Sequence, residues 1–187
     1  MRVIAGTAKK LTLKAPKGMK TRPTTDKVKG AMFNVLAGLV EGAKVLDAFA
    51  GSGSLGIEAI SRGAAFVDFY DKDRQALAII RDNLERAGMQ EQAAVHSGAV
   101  EKLLPQSAGG YNLVFLDPPY NKGMVGIIEK ALLLPGMLTQ DVVVVLETAG
   151  KDPELFTSDL WECYKTSVYG DTSVVYYGFQ SYRAEDK

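Results

Sequence analysis

Residues 117–120, Asp-Pro-Pro-Tyr, make up the most chemically pointed stretch of the chain. They follow Leu113-Val114-Phe115-Leu116, an apolar run that reads as a strand. Two adjacent prolines cannot continue a central strand, and they lock the backbone as it leaves the sheet. Such a turn suits one task well. An exocyclic amine on a heterocycle is a poor nucleophile because its lone pair is delocalised into the ring. If the Asp117 carboxylate and the Pro118 carbonyl accept its two N–H bonds, the nitrogen becomes more tetrahedral and its lone pair can face an electrophile. Pro119 fixes the turn, and Tyr120 would stack on the base, a contact worth roughly 1–3 kcal/mol. Asp117 can also take the surplus proton. The candidate catalytic residues are therefore Asp117, Pro118, Pro119 and Tyr120.

Upstream, Asp47-Ala48-Phe49-Ala50-Gly51-Ser52-Gly53-Ser54-Leu55-Gly56 contains a G-x-G-x-x-G loop, where missing side chains let a ligand approach the backbone at a helix start. Dinucleotide-binding proteins share this pattern, so Asp47 decides the reading. An acid inside an apolar strand would repel a pyrophosphate and attract the cationic methionine end of S-adenosylmethionine. Its plainer reading is a carboxylate bonded to loop amides. The run Phe69-Tyr70-Asp71-Lys72-Asp73 places Asp71 20 residues after Gly51, where an acid can accept both ribose hydroxyls of an adenosine. Asp68 falls mid-strand, and Asp73 suits a helix cap. Main-chain groups of Ser97-Gly98-Ala99 could touch adenine. The candidate cofactor contacts are Asp47, Phe49, Gly51, Ser52, Gly53, Asp71, Lys72, Gly98 and Ala99. His96, a lone histidine on a strand, receives no role. Chemistry on a ring carbon through a cysteine is disfavoured, because Cys163 lies in the final hairpin, away from every motif.

These residues need elements to hold them. Strands are predicted at Val45–Phe49, Phe66–Asp71, Ala94–His96, Leu113–Leu116 and Val142–Leu146. Between them lie helices at Leu55–Ser61, Asp73–Ala87 (closed by Gly88), Val100–Leu104 and Val125–Leu134. Apolar strands alternating with helices indicate a parallel sheet covered on both faces, with ligands beyond the carboxyl ends of its strands. Tyr164–Tyr169 and Ser173–Gln180, divided by Gly170-Asp171, read as a terminal antiparallel hairpin. Ahead of the sheet, Val3-Ile4-Ala5 and Leu11-Thr12-Leu13 suggest a small hairpin. Thr24 or Thr25 can cap a helix through Val28, Met32, Val35, Leu36 and Leu39, ended by Gly42. The expected division is an arm over residues 1–22 and a main domain over 23–187.

The 187 residues suffice for one core, and 47% of them are hydrophobic against 24% charged. No apolar run approaches the roughly 18–20 residues that cross a bilayer, and the opening residues show no secretory leader. One cysteine excludes an internal disulfide, and with one histidine besides it leaves too little for a zinc or iron–sulfur cluster; a metal-free cytoplasmic protein is expected. Net charge is zero but unevenly spread. Residues 1–30 carry nine basic side chains against one acid, a net +8 that the remainder offsets with −8. So lopsided a segment suits a polyanion docked on one edge of an acidic body; the plainer reading is a solvated lysine-rich tail.

The chain resembles, over nearly its full length, the bacterial 16S ribosomal RNA guanine-N2 methyltransferases. The likeness runs through Arg2-Val3-Ile4-Ala5-Gly6, Arg22-Pro23-Thr24-Thr25-Asp26-Lys27-Val28, the Leu46–Ala59 stretch, Ser61-Arg62-Gly63-Ala64 and Asp117-Pro118-Pro119-Tyr120. The resemblance implies an α/β class I S-adenosylmethionine-dependent methyltransferase: a Rossmann-like, seven-stranded, mostly parallel sheet with a C-terminal antiparallel hairpin, plus a small N-terminal β-hairpin reaching toward RNA. It implies Arg22, Pro23 and Thr24 closing over the cofactor, with Arg22 and Thr24 as contacts. It also implies 16S ribosomal RNA as substrate; so small a basic arm encodes little sequence specificity, which points to a 30S particle or assembly intermediate as its form. Lys9, Lys10, Arg22 and Lys122 are the candidate RNA contacts. Two departures stand out: Gly98 replaces an acid frequent in the family, and Asp71 replaces a glutamate. Other readings are an adenine or cytosine N-methyltransferase acting on DNA, a protein-amide methyltransferase, and a non-catalytic RNA- or nucleotide-binding module.

Overall fold

Valine-rich and aliphatic runs with no polar interruption are buried on both sides only when helices cover both faces of a sheet. The computed structural model, which describes residues 1–15, 26–119 and 123–180, has this arrangement. The strands are β1 (Lys44–Ala48), β2 (Phe66–Asp71), β3 (Ala93–Ser97), β4 (Tyr111–Leu116), β5 (Leu138–Ala149), β6 (Trp161–Tyr169) and β7 (Thr172–Phe179). They form one seven-stranded sheet in the order β3-β2-β1-β4-β5-β7-β6. β1 to β5 are parallel, and β7 runs antiparallel between β5 and β6. The chain winds outward from β1 to β3, then returns to lay β4 on the other side of β1. The strand order therefore reverses between β1 and β4, which opens a crevice at their carboxyl ends.

Helices α1 (Asp26–Val35), α2 (Ser54–Ser61) and α3 (Arg74–Ala87) cover one face, while α4 (Val100–Leu103) and α5 (Met124–Leu132) cover the other. The first face buries Met32, Phe33, Ile57, Ile60, Ile80 and Leu84 over Val45, Phe115 and Val143. The second buries Val100, Ile128 and Leu132 over Leu46, Tyr70 and Leu116. Each such side chain contributes roughly 1.5–3 kcal/mol on burial. α3 has both expected caps: Asp73 Oδ1 accepts from Gln75 N, and Gly88 closes the helix in a left-handed conformation, φ 68°. No helix among the described residues is long and apolar enough to cross a membrane.

Besides earlier starts of β4 at Tyr111 and β6 at Trp161, three elements depart from the sequence reading. α1 stops at Val35 rather than continuing to Gly42, because Gly38 turns left-handed at φ 86°; Leu36 and Val40 stay buried in the turns that follow. The capping threonines, Thr24 and Thr25, lie outside the described residues. β5 is longer than expected, since β7 extends its ladder to Ala149. The N-terminal segment makes a hairpin with a single bridge, Arg2 to Thr12, closed by Val3 N to Leu11 O (2.9 Å) and Lys10 N to Val3 O (2.9 Å). Its ladder goes no further because Ile4 N and Ala5 N donate instead to the Glu58 carboxylate, at 2.8 and 3.0 Å. Val3 and Leu13 join the first core, at 1% and 4% exposure, so residues 1–15 are packed onto the body rather than forming a loose tail.

Candidate active site

The crevice between β1 and β4 is built first from backbone. β1 ends in Phe49, which adopts a left-handed conformation at φ 62°, a state that costs a non-glycine residue about 1–3 kcal/mol. Gly51 and Gly53 follow at φ 56° and 74°. The loop is clamped by Ala50 N donating to Tyr70 O (3.0 Å) and Gly53 N donating to Ala50 O (2.7 Å). Gly56 serves packing: a Cβ there would lie 2.3 Å from the Phe69 ring, so only glycine lets α2 rest on β2 at this distance.

Asp71, at the tip of β2, is half-buried and meets the loop directly. Its Oδ2 accepts from Gly51 N and its Oδ1 from Asp73 N, both at 2.8 Å. Each oxygen keeps a second lone pair for an outside hydroxyl. The carbonyl of Asp71 accepts from Gly98 N at 2.9 Å, which brings the β3 exit alongside. Gly98 itself sits at φ 151°, where a side chain is strained and its Cβ would press on Leu103 at 2.9 Å. The glycine is thus fitted to its backbone, and Ala99 leads from it into α4.

Asp47 is 3% exposed, and its Oδ2 accepts from Gly56 N at 2.8 Å. The plainer expectation of a carboxylate bonded to a loop amide therefore holds for one of its oxygens. Burial pushes the Asp47 carboxyl up to about 8, the charge of Asp71 adds to this, and the Gly56 N–H acts against it. Across the crevice, the pairing of Ala48 with Leu116 sets Phe49 and Asp117 abreast at the ends of β1 and β4. Asp117 opens to solvent on one side, while Pro118 behind it is buried. Its carboxyl is held well above the ordinary carboxylate range by loss of hydration, then by the charges of Glu147 and Asp47. Because water reaches its open side, repulsion by those two carboxylates is the firmer cause. Glu147, 6% exposed near the end of β5, was not anticipated from sequence.

Among the described residues, the ion pairs involve none of Asp47, Asp71 and Asp117. The same residues contain no cluster of three or more His, Cys, Asp or Glu side chains suited to a metal ion. The remaining candidates divide. Ser52 is 8% exposed, with its hydroxyl turned to Met1 Sδ at 4.0 Å, so its backbone is what it can offer a ligand. Lys72 is exposed. Arg22, Thr24, Tyr120 and Lys122 lie outside the described residues. Lys9 and Lys10 line a groove of about 390 Å³ with Arg2, Val3, Ile4, Asp26 and Lys27. Lys29, one of the nine basic side chains of the N-terminal segment, belongs to the interior: it is 0% exposed, donates to Arg2 O at 2.7 Å and pairs with Glu58 at 3.2 Å.

Sequence reasoning also missed Glu58 and Asn83. Glu58 accepts from the arm backbone, from Lys29 and from Arg62 Nε at 2.7 Å. Ser61 Oγ donates to Ala5 O (2.6 Å) and accepts from Ala8 N (3.0 Å). An acid set among Leu55, Ile57, Ala59 and Ile60 was the available signal, since a buried carboxylate must have partners.

A doubly wound sheet of this order, with a glycine loop after β1, an acid after β2 and Asp-Pro-Pro after β4, is the class I methyltransferase fold. The E. coli structure described as putative methyltransferase yhhF superposes with a TM-score of 0.87 at 31% identity, over 96% of this chain and 97% of that one. The sequence matches the family described as conserved hypothetical protein 95 over residues 1–178. It is 40% identical to the putative rRNA methyltransferase YlbH of Bacillus subtilis, over 79% of this chain and 82% of that protein. It is 31% identical to ribosomal RNA small subunit methyltransferase D of E. coli K12, over 92% and 87% respectively. The chain belongs to this methyltransferase D family.

Proposed function

We propose that this chain transfers a methyl group from S-adenosylmethionine to the exocyclic N2 amine of a guanine in 16S ribosomal RNA. A 30S particle or assembly intermediate in the cytoplasm is its substrate. The observation that carries the reading is the placement of the glycine loop and the Asp117-Pro118 turn side by side where the strand order reverses.

The residues present fit the cofactor by their chemistry. Three carboxylates without a described cation face a crevice, and two of them are raised by burial and by negative neighbours. A ligand carrying an ammonium and a sulfonium relieves that repulsion, whereas a pyrophosphate adds to it. Asp71, already aimed by two amide donors, accepts the ribose hydroxyls. Asp47 faces the ammonium, Gly98 and Ala99 present main-chain groups to adenine, and Arg22 and Thr24 close the pocket. S-adenosylmethionine, when bound, supplies an electrophilic methyl group on sulfur.

The work of the protein falls to the β4 exit. Asp117 and the Pro118 carbonyl accept the two N–H bonds of the amine, Tyr120 stacks on the base, and Pro119 holds the turn. Once the nitrogen is alkylated it carries a surplus proton. A carboxylate whose proton affinity is raised by Glu147 and Asp47 is suited to receive it. In the groove where Arg2 is paired with Asp26, Lys9, Lys10 and Lys27 leave a net positive charge suited to backbone phosphates of RNA.

The test is transfer of tritiated methyl groups to small-subunit particles, naked 16S ribosomal RNA and duplex DNA, followed by nucleoside analysis. N2-methylguanosine from the ribosomal substrates is expected. Methylated adenine or cytosine from DNA, or no transfer despite cofactor binding, overturns the reading.

A further inference from the structure

The inner face of α3 is apolar, with Ala76, Leu77, Ile80 and Leu84 buried, apart from one fully buried polar side chain, Asn83. Its amide makes three hydrogen bonds to backbone far away in sequence. Oδ1 accepts from Lys14 N at 2.8 Å, while Nδ2 donates to Lys14 O and to Ser52 O, both at 3.0 Å. Toward Lys14 the amide imitates a neighbouring strand, offering one acceptor and one donor to the same residue. Its second N–H reaches the tip of the glycine loop. Lys14 stands at the exit of the arm, two residues before the segment that leads through Arg22 and Thr24 to α1. A second contact points the same way, since Ser52 Oγ faces Met1 Sδ.

Ser52 lies between two left-handed glycines, the residues with the most backbone freedom to lose. Fixing its carbonyl fixes the Ser52–Gly53 peptide plane, whose N–H donates to Ala50 O at 2.7 Å, so the loop holds one conformation beside the Gly51–Asp71 contact. We propose that Asn83 is a positioning residue that couples the N-terminal arm to the glycine loop, so that seating the arm on RNA tightens the hold on the methyl donor. The inference rests on the methyltransferase reading above. By linkage the coupling is reciprocal: donor binding strengthens RNA binding by the same factor.

The test uses the full chain with Asn83→Ala, Asn83→Asp and, as a control, Asp82→Ala. Asp82 carries only the exposed pairing with Lys14 Nζ at 2.8 Å, which leaves the Asn83 bonds intact. The expected effect of Asn83→Ala is a KM for S-adenosylmethionine raised about tenfold, the size of one lost buried hydrogen bond, with kcat within about twofold. S-adenosylhomocysteine binding, followed by calorimetry, should lose its dependence on RNA. Asn83→Asp keeps an acceptor for Lys14 N but sets a carboxylate against two carbonyls, so it should rescue nothing; Asp82→Ala should behave as the parent. Hydrogen exchange on the unmodified protein needs no variant to fold: RNA should slow exchange at the amides of residues 51–56. An unchanged KM in Asn83→Ala, or loop exchange indifferent to RNA, overturns the coupling while leaving the enzyme a methyltransferase. An unmodified protein that transfers no methyl group overturns the function itself.

Discussion

Asp47 and Asp117 are both carboxyl groups raised above their usual range, yet the ligand expected between them is a cation, and this fixes the sign of their pH dependence. Asp47 holds its proton up to about 8 in the free protein. A nearby ammonium favours the carboxylate, so binding S-adenosylmethionine expels that proton. Affinity should rise with pH by up to about tenfold per unit below 8, then level off. Calorimetry in buffers of different ionisation heat would register the released proton; affinity flat from pH 6 to 8 without proton release would remove Asp47 from the pocket. The same shift makes the ligand-free protein less stable as pH rises from the ordinary value of 3.8 toward 8, because the unfolded chain gives up the proton first. For Asp117→Ala the expected loss is about 10²–10⁴-fold in methyl transfer, the usual range for removing a positioned acid–base group. RNA binding should be retained, as measured by filter binding. An equal fall in RNA binding would mean that Asp117 holds the substrate without taking part in the chemistry.

Among the elements, α2 bears two loads: its N-terminus carries the glycine loop and its C-terminal half holds the arm. Glu58 joins them, accepting from Ile4 N, Ala5 N, Lys29 and Arg62 within the first core. Burial lowers the proton affinity of Lys29 and the Glu58 charge raises it again, so the ammonium depends on its partner. Glu58→Ala should therefore cost about 3–5 kcal/mol in urea unfolding, the penalty for stranding one member of a buried pair. A loss near 1 kcal/mol, typical of an exposed pair, would refute that assignment. This layer was the hardest to read from sequence. The sheet and the helices of its faces were legible because apolar runs such as Val142–Leu146 alternate with helical spacing, and Asp117 was legible because two prolines mark its turn. The backbone partners of Glu58 and Asn83 lie between 31 and 69 positions away in the chain, and no local spacing encodes such a contact. The end of α1 was missed for the opposite reason: Val35, Leu36 and Leu39 keep a helical spacing, yet the helix stops at Val35, Gly38 turns left-handed and Leu39 is left 45% exposed.

For the whole molecule, zero net charge conceals a dipolar arrangement: a basic arm on one side and a crevice of carboxylates at the strand ends. The packing of Val3 and Leu13 and the hold of Glu58 and Ser61 seat residues 1–15 on the body. On the proposed reading, an RNA docked on their exposed cations would present its bases toward Asp117. Electrostatic docking of this kind weakens with salt in proportion to the phosphates neutralised, about 0.7–0.9 in log–log slope per contact. The combined variant Lys9→Ala, Lys10→Asn should thus flatten the salt dependence of RNA binding by about 1.4–1.8. Asparagine suits position 10 because Lys10 is left-handed at φ 76°, a conformation asparagine tolerates better than most residues. Thermal stability should be untouched, since both lysines are exposed and neither ion-pairs among the described residues. Methyl-donor affinity without RNA should stay the same, while the KM for the ribosomal substrate rises. If the slope stayed as steep in the variant as in the parent, phosphates would be neutralised elsewhere, and the groove beside α1 would not be the RNA surface.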